Sequence, residues 1–201
     1  MMTGRDLPAI ESAASTIITP ERSISSHQLD VSDPTSVQDL GDWIADQYGS
    51  LDIVVNNAAV HYDDWQRATD ADLGVVQEAF TTNTLGPWRV IKATLPALRN
   101  SPHGRIVNVS SEGGSISKMT GGTPAYSVSK AALNALTRLL AGELASDNIL
   151  VNAICPGWTN TDMGQGGRPV ADGAAGVVWA ATLPDNRPTG GFFRDQQVLS
   201  W

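Results

Sequence analysis

Residues 105–111 read RIVNVSS, an apolar run closing on a pair of serines. Isoleucine and valine run almost unbroken here, where a half-exposed strand would alternate apolar with polar. That is the pattern of a strand buried on both faces, as in parallel sheets covered by helices. Similar runs lie on either side: SSHQLDV at 25–31, LDIVVNNA at 51–58, ILVNAIC at 149–155 and GGFFRD at 190–195. At the chain's beginning, Thr3-Gly4-Arg5-Asp6 reads as the end of a further strand turning into a helix.

Between the strands the pattern predicts helices over 34–49, with Pro34 near the start, over 71–99 with a kink at Pro87, over 125–146 and over 172–183. Strands alternating with helices imply right-handed βαβ crossovers, hence an α/β fold built on a doubly wound parallel sheet. The 201 residues are expected to form one domain, 1–201, without internal repeats. GQGGRPV at 164–170 reads as a loop or lid rather than a linker.

Composition removes several function classes. With 41% hydrophobic and 17% charged residues the chain is not disordered, and no apolar run approaches the roughly 20 residues that span a bilayer. A net charge of -8 without clustered Lys and Arg argues against nucleic acid and anionic membranes as partners. Cys155 is the single cysteine and no signal segment is visible, so the expected location is cytoplasmic. His27, His61 and His103 lack metal-ligand spacing with one another or with Cys155, so no catalytic metal is expected. Cys155, with no histidine placed to activate it, reads as a buried strand-end residue.

The chemistry centres on AYSVSKAALNAL at 125–136, where Tyr126 and Lys130 stand four apart and so share one helix face. A nearby ammonium favours the phenolate and draws a tyrosine pKa down, which makes the pair an acid/base device. Taken alone, the same spacing also describes a surface lysine beside a half-buried tyrosine. Three further segments, NNAA at 56–59, VNVSS at 107–111 and PGWTNT at 156–161, each follow a predicted strand. Open α/β sheets bind ligands at those carboxyl ends. Singly, Ser111 is also readable as a strand-end hydroxyl, Asn83 as a backbone-bonding helix residue, and Asn56 and Asn57 as turn formers.

Together these segments resemble the short-chain dehydrogenase/reductase family, from about residue 3 to Trp201, with a C-terminal third like that of carbonyl-reductase-like members. The resemblance implies a Rossmann-like fold and hydride transfer between a nicotinamide cofactor and a small-molecule carbonyl or alcohol. Tyr126 then matches the proton donor, and Lys130 the lysine that lowers its pKa and holds the nicotinamide ribose. Ser111 matches the residue that hydrogen-bonds the substrate oxygen, although its distance along the chain from Tyr126 is slightly longer than usual. Asn83, in TTNTLG, matches the asparagine that helps seat a water linking Lys130 to solvent.

The same resemblance assigns the cofactor contacts. Asp30 would receive the adenine amino group beside Val31; Asn57, Ala58 and Ala59 would lie by the adenine ribose, with Ala59 replacing the usual glycine. Pro156, Gly157 and Thr161 would bracket the nicotinamide. Arg5 sits where members that prefer the phosphorylated cofactor carry a basic residue, which favours NADP with NAD as the alternative. Trp158, Met163 and the loop to Arg168 are candidates for the substrate wall and equally for packing.

Family members carry a first strand, a glycine-rich TGxxxGxG turn and a helix, roughly 35 residues, ahead of the strand that ends here at Thr3-Gly4. The expectation is an N-terminally truncated member that lacks this anion clamp and has neighbouring strands left unpaired. That leaves two functions open, an oxidoreductase or a non-catalytic relative acting as a binding or scaffold protein. The chain is expected to be a monomer or a homo-oligomer formed through helices 71–99 and 125–146.

Overall fold

The computed structural model describes residues 1–20 and 23–201. Its elements run β1 (Met2–Gly4), α1 (Leu7–Ser15), β2 (Ser26–Gln28), α2 (Pro34–Gln47), β3 (Ile53–Asn56), α3 (Leu73–Phe80), α4 (Gly86–Arg99), β4 (Arg105–Val109), α5 (Pro124–Glu143), β5 (Leu150–Ile154), α6 (Val170–Ala181), β6 (Phe192–Arg194) and β7 (Gln197–Val198). Aspartates start the first three helices: Asp6 accepts the Ala9 N–H at 3.1 Å, Asp33 the Thr35 N–H at 2.9 Å and Asp72 the Gly74 N–H at 2.7 Å. Pro8 and Pro34 occupy first-turn positions where a missing N–H costs nothing.

β3, β4, β5 and β6 pair in parallel in that order, and β7 turns back antiparallel on β6. Every residue of β4 and β5 is buried, the apolar ones together with Arg105, Asn108 and Asn152. Side-chain alternation sorts their residues onto two layers. Val54, Ile106 and Val151 pack with Leu40, Ile44, Ile91 and Leu98 of α2 and α4 and with Leu133 and Leu140 of α5. Val107 and Ile154 turn to the other face, against Ala180 of α6 and Phe193. A polar chain pins the register: Asn56 donates to Asn108 at 2.9 Å, and Asn108 donates to Thr137 of α5 at 2.9 Å. Slipping either strand by one residue would leave these amides buried and unpaired.

β1 and β2 form a separate parallel pair. The chain steps outward from β1 to β2, then returns to β3 and proceeds the other way to β6. The reversal falls between β1 and β3, which are not bonded to each other. Here lies a cleft of about 530 Å³ lined by Met2, Gly4, Leu29, Ile53, Val55 and Asn57, among others. β3 faces β4 through Asp52, whose carbonyl accepts the Arg105 N–H at 2.7 Å. Strand alternation therefore turns the backbone groups of Ile53 and Val55 toward the cleft. Both side chains are large and apolar, and both are open to solvent, at 40% and 43%. The layout is the expected doubly wound one, with a break where the sequence anticipates unpaired strands.

The region 71–99 is not one helix kinked at Pro87. It is α3 and α4 joined by a π-helical turn, Thr81–Leu85, and Pro87 sits in the first turn of α4. Among the described residues, no helix is long and apolar enough to cross a membrane.

An unpaired apolar edge is a template for pairing between chains. Val55→Lys is expected to slow aggregation on warming several-fold, read by light scattering, while shifting unfolding stability by no more than about 0.5 kcal/mol. Equal aggregation rates would mean that this edge is not the adhesive surface.

Candidate active site

Lys130 and Tyr126 lie in the first two turns of α5, which packs beside the carboxyl ends of β4 and β5. Lys130 is only 2% exposed, and its Nζ donates to the Val109 carbonyl at 2.8 Å. The same Nζ stands 5.6 Å from the centre of the Tyr126 ring. Burial without a charged partner drives the Lys130 pKa down to about 8, and Cys155 opposes this weakly.

The phenol departs from expectation. Tyr126 is 9% exposed, and its pKa is pushed up to about 12 rather than drawn down. Desolvation is the main cause; the Ser111 hydroxyl works against it, and Cys155 and Tyr62 add to it. Lys130, itself desolvated and turned to the Val109 carbonyl, does not offset this burial. In the unliganded protein the phenol is therefore firmly protonated at neutral pH, the state a proton donor needs.

Ser111 ends the β4 run and caps a short 3-10 turn, its Oγ accepting the Gly113 N–H at 3.1 Å. Asn83 lies wholly buried within the π-helical turn. Its Nδ2 donates to the Val60 carbonyl and to Ser129 Oγ, both at 3.0 Å, and its Oδ1 accepts the Val60 N–H at 2.8 Å. The amide thus ties the loop after β3 to α5. Beside these groups Ser110 Oγ is buried with no partner among the described residues, an orphan hydroxyl at a strand's carboxyl end.

The predicted cofactor residues fall into two groups. Arg5, Asp30, Val31, Asn57, Ala58 and Ala59 follow β1, β2 and β3, and of these Val31, Asn57 and Ala58 line the cleft. Asp30 accepts from the Ser32 hydroxyl at 2.6 Å and from its N–H at 2.8 Å. These bonds and the charge of Arg5 hold its carboxyl below the usual range, although slight burial works against them. Pro156, Gly157 and Thr161 follow β5; Gly157 has φ +72°, where a side chain would be strained.

The loop they start is braced at its far end. Thr159 bridges to Arg168, Trp158 Nε1 donates to the Gln165 carbonyl at 3.1 Å, and Arg168 grips Asp195 at 2.7 and 3.1 Å. Trp158 and Met163 stay exposed on it. Cys155 is buried, its Sγ accepting the Glu112 N–H at 3.3 Å, and desolvation raises its pKa, as befits a packed thiol. Among the described residues no group of three or more His, Cys, Asp or Glu is placed to hold a metal.

One aromatic contact was not foreseen. The Tyr62 ring meets Tyr126 edge-on at 5.3 Å between centres and Trp158 at 5.2 Å, joining the two into one wall. HYDDW carries no periodic signal that would single it out.

The fold and this site define a nucleotide-dependent α/β enzyme class, and comparison identifies it. The short chain dehydrogenase family model matches residues 1–170, and the chain belongs to that family of oxidoreductases. It is 35% identical over 224 residues to carbonyl reductase (NADPH) 3 of Rattus norvegicus, covering 87% of this chain and 79% of the relative. Short-chain dehydrogenase/reductase 1 of Saponaria officinalis is 32% identical over 266 residues, covering 98% and 86%. Among solved structures, the NADPH-bound carbonyl reductase from chicken fatty liver aligns with a TM-score of 0.84 at 26% identity, over 99% of this chain and 86% of that one. The carbonyl reductase Sniffer of D. melanogaster aligns with a TM-score of 0.87 at 28% identity, with the same coverage.

Lys130 should leave a signature in stability. An unfolded lysine keeps its proton to about pH 10.5 and the buried one releases it near pH 8, so across that interval unfolding takes up a proton. Stability therefore rises with pH through the interval, and below pH 8 the full cost of carrying the charge, roughly 3 kcal/mol, is present. Lys130→Met is expected to stabilise the protein by roughly 1–3 kcal/mol at pH 7 in urea unfolding, with the gain vanishing near pH 10. A gain independent of pH would contradict the burial argument.

Proposed function

We propose that this chain is a carbonyl reductase that uses NADPH, with Tyr126 giving its proton to the substrate oxygen. The observation that carries this is a protonated, buried phenol flanked by Ser111 and a buried lysine at the carboxyl ends of β4 and β5. The nicotinamide end suits a cofactor. Ser110 Oγ is a buried hydroxyl in want of a partner, and Gly157 adopts a backbone state that admits close approach. Arg5, exposed and close enough to act on Asp30, is the cation suited to a 2′-phosphate. The cofactor supplies the hydride when bound.

The chain's own groups do the rest. Hydride addition builds negative charge on the carbonyl oxygen, and the Ser111 and Tyr126 hydroxyls are placed to hydrogen-bond it there. The proton then passes from Tyr126 Oη to that oxygen. Lys130, charged below about pH 8, favours the phenolate so produced. Tyr62 and Trp158 wall the substrate side with aromatic surface and exclude water. The reverse reaction, oxidation of an alcohol, uses the same groups. The matched relatives carry the name carbonyl reductase, which favours the reductive direction.

Purified protein is expected to oxidise NADPH in the presence of a panel of aldehydes and ketones. Tyr126→Phe should lower kcat by about 10²–10⁴-fold while NADPH affinity changes less than about twofold. No turnover by the parent on any carbonyl, or with alcohols plus NADP, would favour the scaffold reading instead.

Cofactor choice is checked separately. Arg5→Ala should raise KM for NADPH by about tenfold and leave KM for NADH unchanged, since only the phosphorylated cofactor loses a charge-assisted bond. Equal effects on both would remove Arg5 from the binding site.

A further inference from the structure

The start of α5 poses a problem that the proposed reaction leaves aside. A helix begins with N–H groups that its own ladder cannot use. In α1, α2 and α3 an aspartate just ahead of the helix takes one of them. α5 has no such cap. Thr123 lies in the left-handed region at φ 45°, and its hydroxyl pairs with Ser127 Oγ at 2.9 Å instead of with the backbone. Pro124 has no N–H, so Ala125 and Tyr126 carry the unmet donors, both in buried residues.

Asp63 meets both. It belongs to the loop between β3 and α3, is 0% exposed, and accepts the Ala125 N–H on Oδ2 at 2.9 Å and the Tyr126 N–H on Oδ1 at 3.0 Å. Gln66 Nε2 adds a third bond, to Oδ2 at 3.0 Å. A buried carboxylate is tolerated only when fully compensated. Two charge-assisted N–H bonds at the positive end of a helix provide that compensation. The adjacent residue, Tyr62, holds the Tyr126 ring edge-on, and Asn83 fixes the same loop at Val60.

We propose that Asp63 is a positioning residue for Tyr126, capping α5 from a distant loop and fixing the backbone from which the phenol projects. Its two oxygens grip two consecutive amides, so the first turn of α5 can neither rotate nor fray without breaking both bonds.

The test compares Asp63→Asn with Asp33→Asn, which makes the same change at the cap of α2, away from Tyr126. Amide hydrogen exchange on the unliganded full chain needs no activity. Asp63→Asn is expected to speed exchange at Ala125 and Tyr126 at least tenfold, and Asp33→Asn to leave both unchanged. In carbonyl reduction, which rests on the proposed function, Asp63→Asn should lower kcat about tenfold with KM for NADPH within twofold. Asp33→Asn should leave both kcat and that KM unchanged.

If Asp63→Asn does not fold, Asp63→Glu decides, since it keeps the charge but displaces the oxygens by one methylene. It should speed exchange at both amides and lower kcat, with KM for NADPH within twofold. Unchanged exchange at Ala125 and Tyr126 in the variant that folds, or a kcat that falls equally in Asp33→Asn, overturns the proposal. Inactivity of the parent chain would sink the carbonyl-reductase reading alone and leave the exchange result to judge Asp63.

Discussion

The ammonium of Lys130 is held almost entirely out of water and donates to the Val109 carbonyl oxygen. Such a group destabilises the fold it sits in, and the surroundings must be rigid enough not to let water in. They are: Lys130 reaches the end of β4, a strand buried along its whole length and paired on both sides. Gly114 presses so closely on the Lys130 backbone that a Cβ there would stand 2.7 Å from its carbonyl carbon. The Asn56–Asn108–Thr137 chain fastens α5 to β3 and β4 from beneath. Phenol and amine are neighbours because a helix repeat brings them together; they are dry because the sheet and its glycines press against them.

What could be read in advance was whatever depends on local pattern. The apolar-rich segments at 105–109 and 150–154 mark both strands and their burial, and the spacing of Tyr126 and Lys130 puts them on one helix face. Less legible was anything set by tertiary surroundings. The phenol pKa moves the other way from the paired-charge argument because burial, invisible in a spacing, outweighs it. Pro87 is the residue in 71–99 whose type signals a break, yet the break belongs to the π-helical turn just before it, which no residue type announces. Tyr62 and Asp63 carry no local signal because their partner Tyr126 lies more than sixty residues away in sequence. β7, two residues long, is too short to leave a pattern.

The cleft between β1 and β3 joins fold to site in a second way. Val31, Asn57 and Ala58 line it, so the residues assigned to the adenosine end share a wall with an open strand edge. The residues proposed for the nicotinamide end differ in kind: Ser111, Tyr126 and Lys130 rest on strands paired on both sides. The two halves of the site therefore rest on unequal foundations. Distortion of β3 would reach the adenosine side before it reached the acid/base pair.

The wide turn at Thr81–Leu85 also constrains how this chain can vary in length. It accommodates one residue more than a regular helix would, and Asn83 lies within that surplus with its amide bonded to Val60 and Ser129. Removing a single residue there would let α3 run straight into α4 as regular helix, with Val90, Ile91, Ala97 and Leu98 still facing the core. What would be lost is the bulged position itself, and with it the amide that joins the loop after β3 to α5. A one-residue shortening of this segment would thus spare the packing and strike the site.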